Sequence, residues 1–222
     1  MATSLRHANI LPEKHLNEAA SAYAAAGRRY RSYADGDGRK LFDFTGRYGF
    51  ADREIWTRID AALEELLRAG RRQIRILDAG CGPGTWLQRT LARALELGFT
   101  RIDARGFDIS PDMVALAQER AQTHASVSLR LEEGDLREPL AEETGSIDLC
   151  LCLYGVLNHI PRAALNNVAA ELVRVTGGHL FVTARTVGSL PTIFVDAVEK
   201  AATSCKTMNM TALRSSSRTG AA

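Results

Sequence analysis

The chain has 222 residues, 45% of them hydrophobic and 24% charged, which is the balance of a globular domain with an ordinary core. Its formal net charge is only +2, without a basic stripe, so nucleic acid is not an expected partner. No continuous apolar stretch approaches the roughly 18 residues that span a bilayer, and no secretory leader is expected. The four cysteines lack paired spacing, which indicates free thiols in a reducing cytoplasm and no metal site.

Residues 1–70 are expected to form a helical cap region. An alanine-rich helix is predicted over Asn17 to Arg29. Asp52 is suited to cap a second helix, whose apolar residues recur every three or four positions until Gly70 ends it.

From residue 73 onwards, predicted strands alternate with predicted helices. Ser110 and Pro111 are typical of a helix start, and Gly177 and Gly178 are expected to turn the chain before the last strand. The predicted strands are 73–77, 102–107, 127–131, 147–153 and 179–184, and the helices are 86–97, 111–124 and one beginning at Pro161. This alternation predicts an α/β domain with a doubly wound, mainly parallel sheet.

The last part of the chain breaks this pattern. Residues 192–202 are compatible with one more helix, whereas residues 203–222 have few aliphatic side chains and are expected to be a disordered tail. We therefore predict a cap region at 1–70, a ligand-binding domain at 71–202 and a tail at 203–222.

The segment LDAGCGPGT at 77–85 is the most informative part of the sequence. It joins the first strand to a helix, where doubly wound folds bind their ligands. Gly80, Gly82 and Gly84 permit positive φ and let a ligand approach bare backbone, and the N–H groups of the next helix favour its negative part. Dinucleotide enzymes use G-x-G-x-x-G, but Thr85 occupies the position of the third glycine.

Acidic residues lie beside this loop and at two later strand ends. Asp78 precedes the first glycine by two positions, Asp108 ends the second predicted strand, and Asp135 follows Gly134 after the third. A carboxylate in the place of Asp108 can accept hydrogen bonds from both hydroxyls of a ribose, as in adenosine-type ligands.

In combination, these motifs resemble those of class I S-adenosylmethionine-dependent methyltransferases over residues 74–186. The resemblance implies a Rossmann-like fold and S-adenosylmethionine (SAM) as cofactor. It implies that Asp135 and the backbone of Leu136 contact adenine, and that Ile109 and Met113 pack against it unless they belong to the core. The cofactor residues implied are Asp78, Gly80, Cys81, Gly82, Gly84, Asp108, Ile109, Met113, Asp135, Leu136 and Leu153.

The segment SIDLCLCLYGVLNHIP at 146–161 resembles the family strand that opens towards the substrate. It lacks the [DNS]-P-P-[YFW] tetrapeptide of enzymes that methylate amino groups of DNA, which disfavours a nucleic-acid acceptor. Similar G-x-x-x-H stretches occur among methyltransferases of small molecules, so the resemblance implies a small-molecule acceptor. His159 is a candidate general base and Tyr154 a candidate pocket residue, although either can be structural. Cys81 has no histidine placed to activate it, so it is expected to be a small apolar loop residue.

Aromatic faces attract cations, so tyrosines of the cap region are candidates to cover the sulfonium. These are Tyr30, Tyr33 and Tyr48, although core or surface roles are the more ordinary interpretation.

The sequence departs from the family after residue 186. The usual seventh strand and its hairpin partner have no counterpart in residues 187–222, so the C-terminal end is expected to be incomplete or atypical. The favoured function is SAM-dependent methylation of a small molecule. The alternatives are a non-catalytic SAM-binding protein or interaction module and, less favoured, an NAD-dependent oxidoreductase. The acceptor, the methylated atom and the oligomeric state are not predicted.

Overall fold

The computed structural model describes residues 41–45 and 49–184. The predicted helices at Asn17–Arg29 and 192–202, the predicted tail and the question of a C-terminal hairpin lie outside these residues. The three tyrosines proposed to cover a sulfonium lie outside them as well.

The described chain alternates between helices and strands as expected, here numbered in chain order. The helices are α1 (Gly49–Arg68), α2 (Thr85–Glu96), α3 (Pro111–Arg120) and α4 (Leu165–Val175), with a short 3-10 helix at Val156–His159. The strands are β1 (Gln73–Ala79), β2 (Arg101–Asp108), β3 (Val127–Glu133), β4 (Ile147–Cys152) and β5 (Thr176–Val182). Within the described ranges, no helix is long and apolar enough to cross a membrane.

The five strands form one parallel sheet in the order β3-β2-β1-β4-β5, which confirms the predicted doubly wound fold. After β3 the chain returns to the other side of β1, so strand order reverses between β1 and β4. In open α/β sheets this reversal marks the crevice where ligands bind, at the carboxyl ends of the strands.

Successive residues of β1 are buried on opposite faces of the sheet. Ile76 packs in a core cluster with Leu63 of α1 and Leu87 of α2. Leu77 packs in a second cluster with Leu172 of α4. Helices therefore cover both faces of the central strand, which is continuously buried from Ile76 to Ala79.

Two predicted helices have different bounds in the structure. Ser110 caps α3 as expected and accepts a hydrogen bond from the Met113 N–H, but the helix ends at Arg120 instead of about 124. The chain then turns at His124, whose carbonyl accepts the Val127 N–H at 3.0 Å, before entering β3. The helix predicted from Pro161 begins only at Leu165, after a turn.

The prediction that Gly177 and Gly178 turn the chain is wrong, because both glycines lie within β5. A Cβ atom on Gly177 would lie 2.2 Å from the carbonyl oxygen of Gly145, and one on Gly178 would lie 2.2 Å from that of Asp148. The β4–β5 pairing is irregular at this place. These glycines therefore permit a close approach of two backbones instead of a reversal of direction.

Candidate functional site

Asp108 joins the glycine loop to the carboxyl end of β2. Its Oδ2 accepts the Gly82 N–H at 2.8 Å, and its Oδ1 accepts the Ser110 N–H at 2.9 Å. The carbonyl oxygen of Phe107 accepts the N–H groups of Gly80 and Cys81 at 2.8 and 2.9 Å. Asp108 thus lies next to the loop, as expected, and also fixes the loop in place. Each carboxylate oxygen has a second lone pair that can accept a ligand hydroxyl.

The three loop glycines adopt positive φ, with values of 78° at Gly80, 52° at Gly82 and 75° at Gly84. A Cβ on Gly80 would lie 2.6 Å from a methyl group of Val156, and one on Gly84 would lie 3.2 Å from the Cβ of Ala117. Packing within the protein therefore disfavours a side chain at Gly80 and crowds one at Gly84, independently of a ligand. Sequence reasoning missed both neighbours, because Val156 and Ala117 come from distant segments and match no motif.

Asp78 is a buried acid beside this loop. It is 2% exposed, and it accepts the N–H of Leu87 in the first turn of α2, where the N-cap Gly84 has no side chain to do so. Its Oδ2 has no hydrogen-bond partner among the described residues. Burial and, to a smaller degree, the negative charge of Asp108 raise the pKa of Asp78 to about 7. A cationic or hydrogen-donating ligand group would satisfy the unpaired oxygen.

Burial also raises the pKa of Asp108, although the N–H groups of Ser110 and Gly82 oppose this rise. Two carboxyl groups with raised pKa values therefore lie at the ends of neighbouring strands. Perturbed acids concentrated in a crevice are typical of functional sites.

Asp135 lies at the end of the third strand, where the Gly134 N–H donates to the carbonyl oxygen of Asp108 at 3.0 Å. The Asp135 carboxylate accepts the backbone N–H of Arg137 at 2.9 Å and pairs with its guanidinium. Burial acts to raise the pKa of Asp135, but the bonds from Arg137 lower it overall. Asp135 thus lies at the carboxyl edge of the sheet as an ionised side chain that is already paired with Arg137.

The apolar residues of the predicted cofactor set are placed differently from one another. Met113 is 1% exposed, and Leu136 and Leu153 are both 5% exposed. Ile109 is half-buried. Of these four side chains, only Ile109 offers much surface to a ligand in this conformation, and Met113 is packed as a core residue.

The end of β4 carries the two predicted substrate-side residues. Tyr154 has φ of 61°, and it is the one described non-glycine residue with positive φ. Tyr154 is 36% exposed, and its ring centroid lies 6.0 Å from that of the Trp86 ring. His159 is exposed at the end of the short 3-10 helix. A left-handed tyrosine costs about 1–2 kcal/mol, and such strain concentrates at functional sites.

The described cysteines are free and buried. Burial raises the pKa of the Cys81 thiol well above its usual value, and it raises those of Cys150 and Cys152 to about 12. None of them is therefore a thiolate nucleophile near neutral pH. Among residues 41–45 and 49–184, no group of three histidine, cysteine or acidic side chains is arranged to hold a metal ion.

Comparison with known proteins gives the class of the domain. Residues 76–178 match the family model described as a methyltransferase domain. The matched segment includes the acid-flanked glycine loop and strands β2 to β4, so this part of the chain is similar to a methyltransferase domain. A search of the curated proteins found no match for the chain.

Three solved structures of methyltransferases are similar to the chain. SAM-bound CalS10, an amino pentose methyltransferase from Micromonospora echinaspora, is 26% identical over 75% of this chain and 59% of its own, with a TM-score of 0.46. Magnesium protoporphyrin IX methyltransferase ChlM from Synechocystis PCC 6803, with bound SAM, is 22% identical over 76% of this chain and 74% of its own, with a TM-score of 0.49. The sugar N-methyltransferase KedS8 from Streptoalloteichus sp ATCC 53650 is 20% identical over 86% of this chain and 61% of its own, with a TM-score of 0.45. The chain thus spans about three fifths of CalS10 and of KedS8.

Proposed function

We propose that the chain binds SAM and transfers its methyl group to a small molecule. The observation that carries this proposal is the pairing of Asp78 and Asp108 with the glycine loop at the point where strand order reverses, within a methyltransferase domain. Asp78 would accept a hydrogen bond from the ammonium group of the methionine part through its unpaired oxygen. Asp108 would accept the ribose hydroxyls, and Asp135 the adenine amino group.

When bound, SAM would supply a methyl group that is activated by its positively charged sulfonium sulfur. Loss of the methyl group converts the sulfonium into a neutral thioether, so the leaving group needs no proton. The task left to the protein is to hold the acceptor atom in line with the methyl carbon, at about 3 Å. Tyr154 and His159 follow β4 at the same edge of the sheet, so they are the residues proposed to face the acceptor. His159 would remove a proton only from an acceptor that is protonated before transfer.

The proposed acceptor is a small molecule, since the segment after β4 lacks the tetrapeptide with which enzymes acting on DNA hold an amino group. A cytoplasmic location belongs to the same proposal and is supported by three free, buried thiols in the described chain. A SAM-binding protein without transferase activity is the second candidate, because the proposed cofactor residues would hold SAM whether or not an acceptor is methylated.

Titration calorimetry with SAM, S-adenosylhomocysteine and NAD tests the cofactor. Binding of both adenosyl compounds without binding of NAD is expected. Binding of NAD alone would favour an oxidoreductase, and no heat with any of the three would refute the proposal. A radiolabelled methyl-transfer screen over small oxygen, nitrogen and sulfur acceptors then separates an enzyme from a protein that only binds SAM.

A further inference from the structure

The turn that follows β4 is held by one threonine. The Thr183 hydroxyl accepts the Tyr154 N–H at 2.5 Å, and the Thr183 carbonyl oxygen accepts the Gly155 N–H at 3.2 Å. The Thr183 N–H donates to the carbonyl oxygen of Cys152 at 3.1 Å, so Thr183 continues the β4–β5 pairing by one residue. Tyr154 and Gly155 have φ of 61° and 77°, so both residues of this turn are left-handed. Glycine adopts this conformation without strain, whereas tyrosine needs an external restraint.

The ring of Tyr154 lies next to an aromatic neighbour. It lies at a centroid distance of 6.0 Å from Trp86, with 30° between the planes. The guanidinium carbon of Arg89 lies 4.7 Å from the Trp86 ring and 5.1 Å from the Phe44 ring. Arg89 is 3% exposed and donates to the carbonyl oxygen of Leu41 at 2.6 Å. Trp86 thus packs against a buried side chain that is itself held in place, and it offers Tyr154 a defined neighbour.

We propose that Thr183 is a positioning residue for Tyr154. By accepting the Tyr154 N–H, its hydroxyl keeps the turn left-handed, and this conformation places the Tyr154 ring beside Trp86 at the carboxyl edge of the sheet. The consequence for acceptor binding rests on the proposed methyltransferase function. The conformational role itself does not, and it can be measured without cofactor or substrate.

The substitution Thr183→Val isolates the hydroxyl. Valine is nearly isosteric with threonine and keeps the backbone N–H and carbonyl that extend the pairing of β5. It leaves the Tyr154 N–H without its acceptor, so the tyrosine loses the restraint that holds positive φ. Relaxation of φ to a negative value would carry the ring away from Trp86. Thr183→Ser keeps the hydroxyl and is the matched control.

The chain has two tryptophans, so Trp86 can be observed alone in a Trp56→Phe background. In the free protein, Thr183→Val is expected to shift Trp86 emission to longer wavelength and to increase its quenching by acrylamide, because Trp86 loses its cover. Thr183→Ser should restore both signals. Equal spectra for the valine variant and its parent would overturn the proposal, whatever the result with SAM.

Urea unfolding gives a second measurement that does not require a fully stable valine variant. Glycine takes positive φ freely, so Thr183→Val should destabilise the protein less in a Tyr154→Gly background than in the parent. An equal loss in both backgrounds would contradict the assigned role. If the chain methylates an acceptor, Thr183→Val should lower kcat/KM about ten- to a hundredfold, with SAM affinity unchanged and activity rescued by serine.

Discussion

At the scale of single residues, Asp108 has a structural role in the fold beside its proposed role in binding a ligand. Asp108 holds Gly82 and Ser110 through its two carboxylate oxygens, and it is also the predicted ribose acceptor. Its position was predictable from the sequence, because an acid at the end of the strand next to a glycine loop lies at the edge where ligands bind. Its role in holding the glycine loop was not predictable, since the loop conformation that brings Gly82 to the carboxylate depends on tertiary packing.

Asp108→Ala is expected to weaken SAM binding by about 1.5–3 kcal/mol, the range for the loss of a charged hydrogen-bond partner. Calorimetry at constant pH and salt would measure the change. Asp103→Ala is the matched control, because Asp103 is an exposed acid on the same strand. Unchanged affinity in the Asp108 variant would remove this residue from the site, and an equal loss in both variants would point to a general effect on the fold.

For apolar residues near the proposed site, the sequence does not predict whether a side chain faces the core or a ligand. Met113 and Ile109 flank the start of α3, and either side chain can face the core or a ligand from such a position. The structure buries Met113 almost completely and leaves Ile109 half-exposed. Met113 lies on the buried face of α3, whereas Ile109 precedes the helix, and a short helix with a weak apolar face does not specify its buried side locally.

At the scale of elements, the strands were predicted more reliably than the connections. Each of the five predicted strands is present, because short apolar or alternating runs lie between helical segments in a regular order, and β4 is buried almost throughout. The prediction of the connections depended on how single glycines and prolines were interpreted. Gly70 ends α1 with φ of 84° as expected, whereas Gly177 and Gly178 lie within a strand. A glycine pair has the same sequence signal in a turn and in a close backbone contact.

The close contact predicts a strong effect of Gly178→Ala on stability. Its Cβ would lie 2.2 Å from the carbonyl oxygen of Asp148, and backbone atoms of a neighbouring strand cannot move aside without disrupting the pairing of β4 and β5. We expect a loss of about 3 kcal/mol or more in the free energy of unfolding, at the upper end of overpacked substitutions. Urea denaturation would measure it.

Gly98→Ala provides the control, because a Cβ on Gly98 meets no atom within 4 Å, although its φ is 89°. This substitution should cost only the strain of a left-handed alanine, about 1–2 kcal/mol. Equal losses in the two variants would show that the contact between the strands does not account for the sensitivity of Gly178.

At the scale of the whole molecule, side-chain hydrogen bonds join segments that are distant in sequence. Arg174 of α4 donates to the carbonyl oxygens of Leu140 and Glu142, and thereby ties the connection after Asp135 to the helix. The order of strands brings Asp78, Asp108 and Asp135 to one edge, and that juxtaposition followed from the predicted fold class alone. Hydrogen bonds such as those of Arg174 could not be predicted from the sequence, because they join segments that come together only in the folded chain.

The buried Asp78 couples the stability of the molecule to pH. Its pKa rises from 3.8 to about 7 on folding, mainly through burial, so between these pH values the native state holds a proton that the unfolded chain has released. The contribution of Asp78 to the free energy of unfolding therefore falls as pH rises from about 4 to 7, and the loss is complete above pH 7. Asp78→Asn removes this titration.

The free energy of unfolding of the Asp78→Asn variant, relative to the parent, is expected to rise by about 1–4 kcal/mol between pH 5 and pH 8. The change with pH is the informative quantity, because a buried amide that lacks a partner adds a cost that is the same at both pH values. Urea unfolding at intervals across this range would measure it, with Asp103→Asn as the control for the loss of an exposed negative charge on the sheet. Parallel pH curves for the Asp78 variant and the parent would mean that Asp78 has the same pKa in the folded and the unfolded chain. In that case, burial of Asp78 would not disfavour its negative charge, and a cationic ligand group beside the glycine loop would gain nothing by neutralising it.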